Sequence, residues 1–559
     1  MIRWSALTLS LVTLVGATPL LQAQSNSIPG SDVKLGILGG LQVYGHGGTY
    51  PNGYTAMAMA TTSCNVGTVN VPWLSPMNAD HPLIAFLAVR ESNGRMEQIS
   101  DRSYVKHGFY ALSDSQCTPC QNPSNGTFLG IGCSDTYGTG NNSDRYYLGP
   151  PEEINPWLGT WVPACSYFDQ GDPSVGGGAA CDGNRSLSGA MVAAFPFEKH
   201  RVVIQDADLA VTSSTFYYQG QYVVRGEPEA NRNNNLVSSR MSVGWSGSSW
   251  SMTQNGGTAL EGSVLQRWSG STLSSAANLP DDGRIYVGVK VTGPTSGMYH
   301  YEYAFHNRDN QRGIGAFRIP KVAAATITNL GFSDIDGLPG TDWTISQSAT
   351  EIAFTTANNP LNWNTIYNVW FDSDTAPLAD NLTLDQFSPG PGAGSFTVAS
   401  SAPKGAQACN IGLLVYCTPK FTSLGCLPNI SGTGTPSATA NTGFLVSSTD
   451  MNNNKPGLML YTNGGQAALP FQGGVLCVGN PTKRSVGLNS GGSPSGQDCT
   501  GVYSIDTNTF AQGLLGGNPA AYLQTPGTVV NSQFWGRDNG FPFPNNTMLS
   551  NGLQFTICQ

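Results

Sequence analysis

Twelve cysteines constrain this 559-residue chain more than any other feature, because they fall in two even groups with a long cysteine-free middle. Cys64, Cys117, Cys120, Cys133, Cys165 and Cys181 form the first group, and Cys409, Cys417, Cys426, Cys477, Cys499 and Cys558 the second. In an oxidising compartment this arrangement predicts up to three disulfides at each end, each contributing about 2 to 4 kcal/mol. Six cysteines admit about fifteen pairings, so the connectivity stays open. The N-terminus agrees with such a compartment. Arg3 supplies a positive start, an apolar run extends from Trp4 to about Val15, and small residues appear near Ala23, the pattern of a secretory signal peptide over residues 1–23. Gln24, Ser25 and Asn26 stand where a lipoprotein would carry cysteine. A retained anchor is the weaker reading, since the run is short and broken by Thr, Ser and Gly. The expected destination is the cell exterior or cell surface, or the periplasm, without membrane insertion after cleavage.

Composition narrows the fold. Charged residues make up 11% of the chain while aromatic residues reach 10%, which argues for a packed core and against disorder. With 69 glycines and 35 prolines, the chain suits many short strands joined by tight turns. A net charge of −9 and the lack of any Lys/Arg cluster leave no footprint for nucleic acid or anionic lipid. Ile285, Val287, Val289 and Val291 share one face of a strand, Gly293 to Gly297 read as a turn, and Tyr299, Tyr301, Tyr303 and Phe305 form an aromatic face opposite His300, Glu302 and His306. The pattern predicts a hairpin with one buried side. Arg201 to Ile204, Phe216 to Val224, Trp363 to Phe371, Gly457 to Tyr461, Gly474 to Val478, Thr528 to Trp535 and Leu553 to Ile557 read as further strands. The fold class is therefore mainly β, with multiple β-sandwich domains: a Cys-rich N-terminal β region at 24–190, a central β-sandwich region at 191–405 and an Ig-like C-terminal module at 406–559.

Several segments carry a resemblance. Thr62-Ser63-Cys64-Asn65-Val66-Gly67, Lys106-His107-Gly108-Phe109-Tyr110 and Gly130-Ile131-Gly132-Cys133-Ser134-Asp135 are joined by Tyr299-His300-Tyr301-Glu302-Tyr303 and Asn362-Trp363-Asn364. Asn454-Lys455-Pro456-Gly457 and Phe534-Trp535-Gly536-Arg537-Asp538 continue it into the C-terminal part. Together they resemble exported β-rich proteins of planctomycete-type and other environmental bacteria, with a C-terminal Ig-like accessory module. The resemblance implies export and a β fold. It implies no chemistry, because that group has no assigned role.

Motifs for catalysis are sparse. No Gly-x-Ser-x-Gly elbow occurs, and Gly244-Trp245-Ser246-Gly247-Ser248 fails at its last position. Ser134, Asp135 and His107 could be drawn as a triad, but a turn role for Asp135 is the simpler expectation. Cys117-Thr118-Pro119-Cys120 has the spacing of half a zinc site, against the disulfide alternative. His46, His81 and His107 could converge from different strands on copper or zinc. His300 and Glu302 share a strand face at about 6 to 7 Å, close enough for one ion, whereas His306 is too far along the strand to join them. Asp334, Asp336 and Asp342, with Gly337 and Gly340, could wrap Ca²⁺ with oxygen ligands, against the alternative of a solvated acidic turn. Acidic pairs such as Glu152 with Glu153, or Asp372 with Asp374, do not rank themselves as a glycosidase dyad. Trp157, Trp161, Trp245, Trp250 and Trp268 stand in polar surroundings where an exposed ring could stack on sugar.

The sequence thus favours an exported binding or structural protein with a polysaccharide or an extracellular protein as partner. Two rivals remain: a metal-dependent extracellular enzyme using His46, His81 and His107, and a subunit of a surface layer or appendage.

Overall fold

The computed structural model describes residues 27–75, 77–170, 181–255, 257, 259–407 and 411–558. The signal-peptide reading, Gln24, Ser25 and Asn26 after it, and Cys409 lie outside them. Strands dominate, and no helix among the described residues exceeds five residues. None is long and apolar enough to cross a membrane. The mainly β expectation holds.

The chain divides into two compact units, one of residues 1–292 and 299–406, the other of residues 293–298 and 407–559. In the first unit, four main sheets stack face to face. The first is built on Val33–Gly47, Tyr54–Asn65 and Val202–Gln205. The second runs Trp250–Gln254, Leu236–Trp245, Thr215–Val223, Leu83–Ser92, Val105–His107 and Leu148–Gly149. Thr272–Ala277, Arg284–Thr295, Met298–Asn307, Thr365–Ser373 and Ile327–Ser333 make the third, and Thr344–Gln347, Glu351–Thr355, Ile314–Pro320, Thr375–Gln386 and Ser395–Gln407 the fourth.

Side-chain alternation explains the stacking. Along Leu83–Ser92, Ile84, Phe86 and Ala88 join Leu35, Met57 and Met59 in the core between the first two sheets. Leu87 and Val89 point the other way, onto Tyr286, Ala304 and Ile366 of the third sheet. A strand buried on both faces must be apolar at nearly every position, which is why this segment reads Leu-Ile-Ala-Phe-Leu-Ala-Val. Each large side chain so buried contributes about 1.5 to 3 kcal/mol.

The hairpin expected from Arg284 to Phe305 forms, but it has two covered faces instead of one. Tyr301, Tyr303 and Phe305 pack against Phe317, Ile352 and Leu384 of the fourth sheet, whereas Ala304 faces the second. His306, expected on a solvent face, is fully buried and bonded to Ser263 Oγ at 2.8 Å. The period of two in the sequence located the strand; it carried no signal of a second layer.

The second unit is a sandwich. Leu414–Tyr416, Thr547–Thr556, Val529–Arg537, Pro456–Thr462 and Lys483–Arg484 form one sheet, and Asn429–Gly434, Phe444–Met451 and Gly501–Asp506 the other. Phe444, Val446, Tyr461, Tyr503, Phe534 and Phe555 fill the space between. Five disulfides are described, Cys64–Cys117, Cys120–Cys133, Cys165–Cys181, Cys417–Cys477 and Cys426–Cys499, and Cys558 is also disulfide-bonded.

Candidate functional site

Histidines that the sequence grouped have different partners. His81 and His107 do meet, His81 Nε2 lying 2.7 Å from His107 Nδ1, because His81 precedes Leu83–Ser92 and His107 ends the strand paired with it. Both rings are buried against Trp161, and His107 also against Phe168. Burial holds His81 down to about 3 and His107 well below the usual imidazole range. Their neighbour Lys106 is also buried, its Nζ set 4.3 Å from the Phe109 ring and 4.1 Å from the Tyr147 ring without a hydrogen-bond partner among the described residues. Burial lowers its amine to about 7. His46 instead meets Asp206 at 2.8 Å. Among the described residues, no group of three or more His, Cys, Asp and Glu side chains could hold a metal.

Other sequence candidates are engaged locally. Cys117 and Cys120 are spent in separate disulfides, to Cys64 and Cys133. Asp135 lies on a strand, where it accepts from Trp73 Nε1 at 2.9 Å and Leu112 N at 2.8 Å, so the expected turn role does not apply. His300 bridges Asp372 Oδ1 at 2.7 Å and Glu302 Oε2 at 3.2 Å, and these hydrogen bonds, Glu302 first, raise its pKa. Glu302 is in turn gripped by Arg95, whose guanidinium lies 3.6 Å above Trp370. In the Asp334 loop, Asp334 accepts from Asp336 N at 3.1 Å and Asn359 Nδ2 at 2.7 Å, while Asp336 accepts from Leu338 N at 2.7 Å.

That loop nevertheless borders a roomy recess of the first unit. The recess, of about 440 Å³, is lined by Glu97, Gln98, Asp101, Arg102, Gln205, Asp208, Asp334 and Asp336, with Ile99, Val203 and Ile335 as its apolar wall. The volume falls in the range of small-molecule sites. Three elements meet here: the hairpin arm Arg95–Gln98, the strand Val202–Gln205 with the short helix after it, and the end of Ile327–Ser333. Arg90 fixes two of the acids, reaching Glu97 Oε1 at 2.5 Å and Asp208 Oδ1 at 3.3 Å. Arg102 pairs with Glu152. Asp101 accepts from Val203 N at 2.9 Å, and its carboxyl is pushed up to about 7 by desolvation. The residue stays exposed to solvent, so the upward direction of the shift reflects partial enclosure by the recess walls. Desolvation raises Asp208 and Asp334 as well. Acceptors outnumber donors in this lining, and at neutral pH Asp101 can act as either.

Sequence reasoning singled out Asp334 and Asp336 but missed Glu97, Asp101 and Asp208. No local pattern marks them, because three distant segments bring them together.

Of the five tryptophans weighed for ring stacking, Trp157, Trp161, Trp250 and Trp268 are buried, and Trp245 is half-buried.

No protein-family model matches this chain, and no curated protein matches its sequence. Among solved structures it is similar to an inactive mutant of a GH20 exo-β-N-acetylglucosaminidase from Vibrio harveyi, at 11% identity and a TM-score of 0.14. The match covers 49% of this chain and 40% of that one, so the chain spans less than half of that enzyme's length. A likeness of this size carries no argument about fold or chemistry.

Proposed function

We propose that this is an exported extracellular or cell-surface protein that binds a saccharide in the recess lined by Asp101, Arg102, Asp208 and Asp336. The observation that carries the reading is the donor-poor lining. Carboxylates accept hydrogen bonds from a ligand rich in hydroxyls, Arg102 and Gln205 return a few donors, and the partly protonated Asp101 serves a hydroxyl in both senses. Export is supported by the paired cysteines and by the signal-like residues 1–23. The likeness to exported proteins of environmental bacteria, including their Ig-like C-terminal module, belongs to the same proposal.

Isothermal titration calorimetry of the mature protein against soluble neutral polysaccharides tests it. Binding that Asp101→Ala weakens at least tenfold is expected; binding indifferent to Asp101 and Arg102 removes the recess from the account.

A second reading, acid–base hydrolysis of the bound saccharide, is favoured by Asp101, whose value of about 7 suits a general acid at neutral pH. Release of reducing ends by the wild type and not by Asp101→Asn would establish it.

A further inference from the structure

The first unit also carries an aromatic pair that does not line the recess. Tyr50 stands in the loop between Val33–Gly47 and Tyr54–Asn65 and is 40% exposed. Its ring stacks on Trp245, with centroids 4.7 Å apart and planes 15° from parallel. Trp245 is in turn wedged by His46, at 4.9 Å, and Trp250, at 5.3 Å. One buried carboxylate locks the assembly. Asp206 accepts from Trp250 Nε1 at 2.8 Å and Gly53 N at 3.0 Å and holds His46 Nε2 at 2.8 Å, so the loop, the hairpin and the strand end that carry the rings share one anchor.

Register places the pair at a hairpin tip. Trp245 and Trp250 face each other as the last paired residues of their strands, and Ser246 to Ser249 close the turn in full exposure. Thr49, Asn52, Ser246, Ser248 and Ser249 are exposed residues of the two loops that carry Tyr50 and Trp245, and no charged residue occurs in either loop. Tyr50 packs one side of its ring on Trp245 and also contacts Trp250, while 40% of the residue stays exposed beside a rim of Thr, Asn and Ser. Such a face suits a flat, neutral ligand with one apolar side and a rim of hydrogen-bonding groups. Charge complementarity excludes a phosphorylated or sulfated ligand, because no cationic side chain stands in these loops to receive it.

We propose that the Tyr50–Trp245 face is a saccharide-stacking subsite that takes one neutral pyranose ring of a glycan, its axial C–H face lying on Tyr50. This inference shares the saccharide class with the recess reading but uses none of its residues. Trp245 already occupies one side of Tyr50, so only one ring can be stacked there.

The test is calorimetry of the full mature chain with cello-, xylo-, manno- and chitohexaose, comparing wild type with Tyr50→Ala, Tyr50→Phe and Asp101→Asn. At least one hexasaccharide is expected to bind, with affinity reduced about tenfold in Tyr50→Ala and kept within about threefold in Tyr50→Phe. If Tyr50→Ala weakens that binding and Asp101→Asn leaves it intact, the stacking subsite stands while the recess reading falls; if neither variant weakens it, both fall. If Asp101→Asn weakens binding and Tyr50→Ala does not, the stacking subsite falls alone. Failure of all four hexasaccharides to bind overturns the subsite. Unchanged thermal unfolding of Tyr50→Ala verifies that the exposed ring, and not the fold, is what was removed.

Discussion

His81 Nε2 lies 2.7 Å from His107 Nδ1, and neither ring reaches water. Burial holds both neutral, as it does His306, which is lowered to about 3. For a base whose folded pKa is depressed, the neutral form is the folded one. Its contribution is complete above the unfolded value near 6.5 and is lost as pH falls from there toward about 3. Each such histidine adds about 1.4 kcal/mol per pH unit to acid sensitivity in that window. Urea unfolding between pH 6.5 and 4.5 should therefore show a shallower pH dependence in His306→Gln than in the wild type, by about one proton.

Arg308 and Asp309 make a second buried commitment. Arg308 Nε reaches Asp309 Oδ1 at 3.0 Å, and Arg232 Nη1 reaches Oδ2 at 2.9 Å, all three side chains being nearly inaccessible. Removing the carboxylate charge leaves two guanidinium groups partly uncompensated. Asp309→Asn should cost about 3 to 5 kcal/mol in chemical denaturation, far more than the exposed pair Lys34–Glu261, whose Glu261→Gln variant should be close to neutral.

The C-terminal unit depends on its sulfur bridges. Cys426–Cys499 spans 73 residues, and closing a loop of that length restricts the unfolded chain by about 4 kcal/mol. The Cys426→Ala/Cys499→Ala double variant should lose about that much in equilibrium unfolding. Protein exported under native conditions and unfolded without reductant should give no free thiol on titration.

Asp101 carries the proton prediction for the recess. Its raised value means that the protonated form is favoured by the fold, so its contribution is present below the unfolded value near 3.8 and is lost as pH rises through about 7. Carboxyl carbon NMR should show one aspartate titrating near 7 in the wild type, absent in Asp101→Asn. Saccharide affinity should change over the same interval.

Strand periodicity made most of the fold legible. Gly474 to Val478 was bounded as the structure has it, and Phe216 to Val224 was displaced by one residue. What the sequence could not convey was layering. Glu302 and His306 alternate with aromatic residues in the pattern of a solvent face, but a third sheet stacked on a second buries both. The candidate site was less legible still, because Glu97, Asp101 and Asp208 are ordinary acidic residues until Val202–Gln205, Arg95–Gln98 and the Asp334 loop converge. The tryptophans were ambiguous for a related reason: whether a ring is covered depends on loops distant in the chain, and only Trp245 of the five kept a partly open ring.

The most direct measurement is a crystal structure of the mature protein soaked with the oligosaccharide that binds best in calorimetry. The account predicts density for sugar hydroxyls within hydrogen-bonding distance of Asp101, Arg102 and Asp336. A saccharide-bound crystal in which the recess holds only solvent would contradict it.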